Sequence, residues 1–233
     1  MKLLNSFRDL TKFELVLWIV SLITVSASFL LSSPPDYLTL IASLIGVTAL
    51  IFVSKGYVLG QVLTVVFSVF YGIISFFFSY YGEMITYLCM TAPIAVMAVI
   101  SWAKHPYKKS AVVEVSRLKI KQIIFMWVAA IAVTAAFYFI LGALGNANLV
   151  ISTLSVTTSF LASYLTFCRS PYYALAYAAN DLVLITLWIM ATLESQSYLP
   201  MVFCFVMFFL NDMYGFFNWC RLRREQKSSF QKP

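Results

Sequence analysis

The chain has 233 residues, of which 62% are hydrophobic and only 11% carry a charge, and its mean hydropathy is +0.89. About a quarter of the residues in a soluble domain are charged, so this composition excludes an ordinary soluble protein. The formal net charge is +7, which could suggest a nucleic-acid partner. The positions of the cations, described below, explain the charge without nucleic acid.

Eight apolar segments follow one another along the chain, each close to the roughly 20 residues that a helix needs to cross a bilayer. They cover residues 13–32, 37–54, 57–80, 84–102, 122–142, 147–167, 172–193 and 198–220. The links within segments two to four and six to eight are so short that these segments must form antiparallel hairpins. The sequence therefore predicts an all-α polytopic membrane protein with about eight transmembrane helices.

The first segment follows Lys2, Arg8 and Lys12, an arrangement that could mimic a secretory signal. Its apolar run is longer than that of a signal peptide, and no small-x-small cleavage site follows it. We therefore interpret 1–12 as a cytoplasmic N-terminus and 13–32 as an extra transmembrane helix.

All 16 cations fall before the first segment or in every second link after it. These regions are residues 1–12, Lys55, the loop 103–121, Arg169 and the basic tail 221–233. The positive-inside rule then places both termini in the cytoplasm, with the chain in a cell membrane. The single histidine, His105, lies alone in the loop, and the four cysteines lack metal-ligand spacing, so we predict no metal site and no cofactor.

Residues 57–102 and 173–219 form an internal repeat, because each covers two helices and ends in a Trp preceded by a polar residue. Together with the helix before each pair they make three-helix repeats, 37–102 and 147–220. The single helix 122–142 links the repeats and restores their orientation, so the layout is one-plus-three-plus-one-plus-three with two parallel repeats. Transporters are often built from such halves, with the substrate site between them.

Two Asn-Asp pairs, Asn180-Asp181 and Asn211-Asp212, interrupt the last two segments near their midpoints. A carboxylate at the membrane centre costs roughly 2.5 to 3.5 kcal/mol on insertion scales, and such residues are usually functional. Amide groups match the paired hydroxyls of a ribose, and a carboxylate offsets a positively charged ring. These pairs predict a transporter for a small, hydroxyl-bearing cation, with its site weighted toward the second repeat.

The predicted substrate-binding residues share helix faces with these pairs or offer flat aromatic surfaces. They are Asp181, Asn211, Trp188, Tyr177, Asn180, Gln61, Tyr71 and Tyr214. We assign Asp212 and Asn218 a gating or structural role, since such side chains also link membrane helices. Four other tryptophans are interpreted as residues of the membrane interface: Trp18, Trp102, Trp127 and Trp219. No HExxH or GxSxG motif is present, so the chain is predicted not to be an enzyme.

The last segment resembles the final helix of the PnuC-type nicotinamide riboside transporters, particularly those of Gram-positive bacteria. The residues that carry this resemblance are Tyr198-Leu199-Pro200-Met201 and Asn211-Asp212-Met213-Tyr214-Gly215-Phe216-Phe217-Asn218-Trp219. Two further stretches are similar to the third-to-fourth hairpin and the penultimate helix of that family. They are Tyr80-Tyr81-Gly82-Glu83-Met84 with Pro93 and Ser101-Trp102, and Asn180-Asp181 ahead of Leu187-Trp188. The resemblance covers about 55–220.

The resemblance implies a bacterial transporter that moves nicotinamide riboside by facilitated diffusion, with cytoplasmic phosphorylation trapping the product. It implies polar ligand contacts by Asp181 and Asn211 and an aromatic contact by Trp188. The tryptophan-rich stretch of the family is here Leu187-Trp188-Ile189-Met190, without a second Trp. Thiamine or riboflavin carriers of the same fold therefore stay open, as does a proton-coupled carrier that uses Asp181 or Asp212. We expect the protein to lie in a lipid bilayer, and whether it forms a homo-oligomer stays open.

Overall fold

The structure, a computed structural model, describes residues 7–32, 35–77, 81–146 and 148–230. Parts of the predicted segments 1–12, 57–80, 147–167 and 221–233 lie outside these residues. Within the described ranges the chain forms no β-strand, and eight helices are long and apolar enough to cross a membrane. The prediction of an all-α polytopic membrane protein with eight transmembrane helices is confirmed.

The membrane helices are numbered here in chain order. Their bounds are α1 (Lys12–Leu30), α2 (Tyr37–Ser54), α3 (Val58–Phe77), α5 (Ile120–Ala143), α6 (Leu149–Phe167), α7 (Tyr172–Glu194) and α8 (Leu199–Phe230). The fourth helix, α4, comprises Tyr81–Ile85, a π-helical turn at Thr86–Thr91 and Ala92–Lys104. A π-helical turn inside an α-helix inserts an extra residue and is frequent at functional sites.

Six of the eight helices pack as two three-helix units that close into a ring. In the first unit α3 packs against α2 and α4, and in the second α7 packs against α6 and α8. Contacts of α8 with α2 and of α4 with α6 join the two units. Helix α1 lies outside the ring against α2 and α8, and the linker α5 packs against α6. This is the predicted one-plus-three-plus-one-plus-three layout.

The two units have matching turns after their first helices. Gly56 follows α2 with φ +72°, and Arg169 follows α6 with φ +56°. In each turn the next residue donates its N–H back to the helix, Tyr57 to the Phe52 carbonyl and Ser170 to the Leu165 carbonyl, both at 3.0 Å. The same local geometry in both halves supports the internal repeat inferred from the sequence.

The helix ends divide the bundle into two differently charged ends. Lys55, Lys104, Arg169 and Arg221 lie at one end, which we call the basic end. The opposite end carries Asp36 and Glu194, among others, at the start of α2 and the end of α7.

The segment 105–119 crosses the basic end and contacts both matching turns. Val113 is 1% exposed, and its N–H donates to the Gly56 carbonyl at 2.9 Å, while Ser116 N–H donates to the Arg169 carbonyl at 3.0 Å. The predicted basic tail is not a separate region up to Phe230, because α8 continues as a helix to that residue. Its Gln226 side chain accepts from Val115 N–H at 2.8 Å and donates to the Val113 carbonyl at 3.0 Å.

Helix α1 is attached to the ring through a buried acid that the sequence analysis did not single out. Glu14 lies in the first turn of α1, within a capping box with Thr11, and is only 1% exposed. Its Oε2 lies 2.8 Å from Lys55 Nζ, and its Oε1 accepts from the Tyr214 hydroxyl at 2.8 Å. The charge of Glu14 is thus compensated within the protein, by a cation from the end of α2.

Candidate functional site

A cavity of about 70 Å³, with more apolar than polar surface, lies inside the ring of six helices. Its walls combine acidic, amide, hydroxyl and aromatic groups from both repeats. The polar and aromatic lining residues are Gln61, Thr64, Phe67, Ser68, Tyr87, Thr91, Ser159, Tyr173, Tyr177, Asn180, Asp181, Phe205, Phe208 and Asp212. We call this space the central cavity. Among the described residues that line it, none is Lys, Arg or His.

Asp181 and Asp212 bring two carboxyl groups into this cavity from neighbouring helices. Both are 3% exposed, and they lie within hydrogen-bonding reach of each other. Asp181 stands near the middle of α7 and Asp212 near the middle of the membrane part of α8, so the antiparallel packing of these helices sets them at one level. A hydrogen bond between two carboxyl groups requires a proton on one of them. Apart from the contact with Asp212, no described group donates a hydrogen bond to Asp181 Oδ2, which is buried.

Hydroxyl groups of α6 hold the neighbouring polar residues of α7 in place. Asn180 Oδ1 accepts from Thr158 Oγ1 at 2.7 Å and from Ser159 Oγ at 3.1 Å. The Tyr177 hydroxyl lies 3.1 Å from Ser163 Oγ. These hydrogen bonds fix the rotation of α7 about its axis. The rotation directs Tyr177 and Asn180 to the central cavity together with Asp181.

The first repeat supplies a polar stripe on α3. Gln61, Thr64 and Ser68 line the cavity and recur at i, i+3 and i+7, which is the spacing of one helix face. Gln61 is 2% exposed, and Ser68 Oγ is buried without a hydrogen-bond partner. The site is therefore less weighted toward the second repeat than the sequence suggested.

Five of the ten sequence-predicted polar and aromatic residues line the central cavity: Asp181, Asn180, Tyr177, Gln61 and Asp212. Nine polar and aromatic lining residues are not among these ten: Thr64, Phe67, Ser68, Tyr87, Thr91, Ser159, Tyr173, Phe205 and Phe208. Tyr87 and Thr91 lie in the π-helical turn of α4, and the nearest sequence signal for that turn is Pro93 just beyond it.

The structure places Asn211 outside the cavity, although it was predicted to bind substrate. Asn211 Nδ2 donates to Ser21 Oγ of α1 at 3.0 Å and to the Met207 carbonyl at 2.7 Å. Tyr214, also predicted, faces α1 through its hydrogen bond to Glu14. Both residues are on the side of α8 that packs against α1, which is why neither reaches the cavity.

Asn218, which we assigned a gating or structural role, also lies away from the cavity. Its Nδ2 donates to the Ser54 carbonyl at 2.8 Å, and its Oδ1 accepts from Arg221 Nη2 at 2.7 Å. The first contact joins α8 to the end of α2 and the second lies within α8, which is a structural arrangement.

Trp188 and Tyr71 line a different space, nearer the opposite end of the bundle. This space has a volume of about 530 Å³, and we call it the vestibule. Trp188 packs against Tyr198 and Phe205, with ring centroids 5.7 Å and 6.5 Å away. An aromatic layer of Phe67, Phe205 and Phe208 lies on the central-cavity wall, and Phe205 joins this layer to Trp188.

The central cavity is closed toward the basic end by large aromatic side chains. Tyr173 lines the cavity and packs against Trp219 with ring centroids 4.9 Å apart. Trp219 in turn contacts Trp102, and both indoles are fully buried. Our interpretation of these two tryptophans as interfacial residues is therefore wrong. Within the described residues, no group of three His, Cys, Asp or Glu side chains could hold a metal ion.

Comparison with known proteins identifies the family. The family described as "Nicotinamide mononucleotide transporter" matches residues 36–221. A nicotinamide riboside transporter PnuC from Neisseria mucosa is 25% identical over 221 residues, which cover 93% of this chain and 84% of that protein. The corresponding protein of Haemophilus influenzae is 22% identical over 209 residues, covering 89% of each.

A solved structure agrees with these sequence relatives. The crystal structure described as that of the vitamin B3 transporter PnuC superposes with a TM-score of 0.79 at 25% identity, and the match covers 94% of both chains. The relatives are named as transporters, which confirms the prediction of a transporter and not an enzyme. The chain is a multi-pass membrane protein and belongs to the nicotinamide mononucleotide transporter family, within which it resembles the PnuC proteins.

Proposed function

We propose that this protein carries nicotinamide riboside across a bacterial membrane by facilitated diffusion. The observation that carries the proposal is the charge of the central cavity. Two aspartates line it, and among the described lining residues there is no cation. The pyridinium ring of nicotinamide riboside is positively charged, and an opposite charge in a cavity shielded from water attracts it strongly.

The same charge favours the riboside over the mononucleotide named in the family description. A mononucleotide adds a phosphate, and proteins bind phosphates with Arg, Lys or backbone N–H groups at helix N-termini. Here a phosphate would meet Asp181 and Asp212 in mid-membrane, with no lining Lys or Arg among the described residues to offset it. Repulsion between these groups would reject the phosphorylated form.

The hydrogen-bonding and aromatic groups of the lining suit the ribose and the ring of the riboside. Gln61 and Asn180 offer amides, and Ser68 Oγ and Asp181 Oδ2 have unused hydrogen-bonding capacity. These groups match the ribose hydroxyls. Tyr87, Tyr173 and Tyr177 provide faces for the ring, and attraction between a cation and such a face contributes about 0.5 to 2 kcal/mol.

Facilitated diffusion is sufficient to accumulate a cation inside a cell. An inside-negative potential favours its uptake by about 2.3 kcal/mol per 100 mV, so accumulation needs no coupled ion. We place the basic end in the cytoplasm, since Lys and Arg are enriched on that side of membrane proteins. Phosphorylation of the riboside in the cytoplasm would trap it, because the acidic cavity disfavours the return of the phosphorylated product.

The central cavity must widen during transport. Its volume of about 70 Å³ is well below the roughly 300–1,000 Å³ of a typical ligand pocket. The aromatic layer separates it from the vestibule, so we expect Phe67, Phe205 and Phe208 to move aside when substrate arrives from the opposite end.

A second candidate function, proton-coupled transport, is favoured by one observation. The hydrogen-bonding reach between Asp181 and Asp212 allows them to share a proton that an arriving cation could displace. Thiamine also carries a positive ring and would suit the same charge, whereas riboflavin is uncharged.

Uptake of radiolabelled nicotinamide riboside by proteoliposomes tests the proposal. We expect uptake to be driven by an imposed inside-negative potential at equal pH, and to be blocked by unlabelled riboside but not by mononucleotide, thiamine or riboflavin. Uptake that requires a pH gradient would replace facilitated diffusion by proton coupling. Equal or stronger competition by the mononucleotide would contradict the assignment of the substrate.

A further inference from the structure

We propose that Glu83 forms a second binding site for organic cations, on the path between the vestibule and the central cavity. The inference rests on the proposed function in one respect, the positive charge of the substrate. It assigns a role to an acid for which the sequence predicted none.

Glu83 lies in a small chamber of about 80 Å³, which we call the middle chamber. The chamber borders both larger spaces. It shares Tyr71 with the vestibule, and it shares Tyr87, Ser159, Leu184 and Phe205 with the central cavity. The three spaces therefore form a series from the opposite end of the bundle to its centre, with acidic side chains in each. These are Asp36 in the vestibule, Glu83 in the middle chamber, and Asp181 with Asp212 in the central cavity.

The Glu83 carboxyl group has accepting capacity that the protein does not use. It lies within hydrogen-bonding reach of the Tyr71 and Ser75 side chains, while Oε2 is buried without any partner. No Lys or Arg lines the chamber among the described residues, and no salt bridge to Glu83 is formed there. This contrasts with Glu14, a buried acid near the start of α1, whose charge Lys55 compensates. No Lys or Arg among the described residues compensates the charge of Glu83, so a bound organic cation would supply the missing positive charge.

Two aromatic rings extend the site toward the central cavity. The ring centroids of Tyr71 and Tyr87 are 4.7 Å apart, and both residues line the middle chamber. Tyr87 lies within electrostatic range of both Glu83 and Asp181. It follows Glu83 by four residues, about one helical turn, and belongs to the π-helical turn of α4. A positively charged ring leaving Glu83 can therefore stay in contact with an aromatic face until it reaches Asp181.

A purely structural role for Glu83 makes a different prediction. Gln has nearly the same shape as Glu and keeps a carbonyl oxygen that can accept from Tyr71 and Ser75. Bracing of α3 against α4 would therefore survive Glu83→Gln, whereas attraction of a cation would not. The isosteric change separates the two roles.

The experiment measures the initial rate of nicotinamide riboside uptake in proteoliposomes and its equilibrium affinity for purified protein. We expect Glu83→Gln to slow uptake about tenfold, as expected for the loss of one charge-assisted interaction. Affinity should change less than about twofold, because the contacts of the central cavity are unaltered. The matched control is Glu194→Gln, which removes an exposed acid at the same end and should leave both quantities unchanged.

The remaining outcomes have distinct meanings. Wild-type uptake in Glu83→Gln, or equal slowing in Glu194→Gln, would overturn the inference while leaving the proposed function in place. Loss of affinity as large as that of Asp181→Asn would overturn it too, by assigning Glu83 to the central site. If Glu83→Gln does not fold, Glu83→Asp and Glu83→Asn decide, because they have the same length and differ in charge: faster uptake by Glu83→Asp than by Glu83→Asn at equal affinity supports the site, and equal rates overturn it. Wild-type protein that takes up no riboside would overturn the proposed function and this inference together.

Discussion

Trp102 and Trp219 contact each other at the basic end, with ring centroids 5.2 Å apart, and each is hydrogen-bonded to the opposite repeat. Trp102 Nε1 donates to the Thr166 carbonyl at the end of α6, and Trp219 Nε1 donates to the Val53 carbonyl at the end of α2. Both distances are 2.9 Å. The last helix of each repeat thus holds the first helix of the other.

The preceding residues repeat this exchange. Ser101 Oγ donates to the Phe167 carbonyl at 3.1 Å, and Asn218 Nδ2 donates to the Ser54 carbonyl at 2.8 Å. Carbonyl groups at helix C-termini have no partner within the helix, so these side chains satisfy them. The similarity of Ser101-Trp102 and Asn218-Trp219 in the sequence therefore has a structural cause, which is a pair of equivalent contacts between the repeats.

Replacement of either tryptophan by Phe should destabilise the bundle. Trp102→Phe or Trp219→Phe removes the indole donor, and the loss of one buried hydrogen bond costs about 0.5–1.5 kcal/mol, since the Thr166 and Val53 carbonyls keep a backbone N–H partner. Thermal unfolding of the purified protein in detergent measures the loss. Trp127→Phe is the control, because Trp127 is 53% exposed and its replacement should have little effect.

Trp102→Leu, Trp219→Leu and the double Leu variant test the contact between the two rings, because Leu removes the ring that Phe keeps. Aromatic pairs of this kind are coupled by about 0.5–1.5 kcal/mol beyond the area that they bury. The combined loss of stability should therefore differ from the sum of the single losses. Strictly additive losses would mean that the rings are adjacent without energetic coupling.

The membrane topology could be predicted because it depends on quantities that the sequence carries directly. The length of each apolar run and the side on which cations fall determine eight helices and their alternation. The faces of the helices were harder to predict. Asn211 and Asp212 are adjacent, so they point about 100° apart, and only the packing of α1 decides which of them faces the cavity.

Two acids, Glu83 and Glu14, show why other contacts could not be predicted from the sequence. Glu83 stands at the edge of an apolar run, and hydropathy alone cannot distinguish a loop acid from one that begins a buried helix. The π-helical turn after it changes the register of α4, which brings Tyr87 and Thr91 to the cavity. Glu14 falls inside the predicted segment 13–32, and the sequence does not show that it is paired, because its partner Lys55 is 41 residues away.

The two Asn-Asp pairs should respond differently to mutation. Asp181→Asn removes a charge and the buried Oδ2 from the central cavity, so nicotinamide riboside affinity should fall more than about tenfold. Asn211→Ala removes the hydrogen bond to Ser21 of α1, so it should lower stability by about 1 kcal/mol while affinity stays within about twofold. Calorimetric titration and thermal unfolding measure the two effects. An equal loss of affinity in both variants would place Asn211 in the binding site.

Removing one partner of the Glu14–Lys55 ion pair should destabilise the protein more than removing both partners. Lys55→Met leaves the buried Glu14 carboxylate without its cation, and an uncompensated buried charge costs about 3–5 kcal/mol. Glu14→Gln combined with Lys55→Met removes both charges and should recover part of that loss. Unfolding temperatures of the single and double variants provide the comparison, and Lys104→Met, at an exposed lysine of the same end, is the control. A double variant less stable than Lys55→Met would show that the pair contributes more than charge compensation.

Gly60 allows α2 and α3 to approach closely beside the central cavity, and its replacement should affect both stability and binding. A Cβ atom at this position would lie 2.3 Å from Val53 N and 2.7 Å from the Phe52 carbonyl carbon, and neither backbone atom can rotate away. Gly60→Ala must therefore separate the two helices, at a cost of about 1–3 kcal/mol for overpacking. Because Val53 and Gln61 both line the cavity, the separation should also weaken riboside affinity.

Gly142 of α5 provides the matched control for Gly60. The nearest atom to a Cβ there would be Leu149 Cδ2 at 3.7 Å, an ordinary contact, and alanine favours a helix by up to about 1 kcal/mol over glycine. Gly142→Ala should therefore leave affinity unchanged and keep or raise the unfolding temperature. If Gly60→Ala behaves like Gly142→Ala in both measurements, the close approach of α2 and α3 does not constrain the cavity.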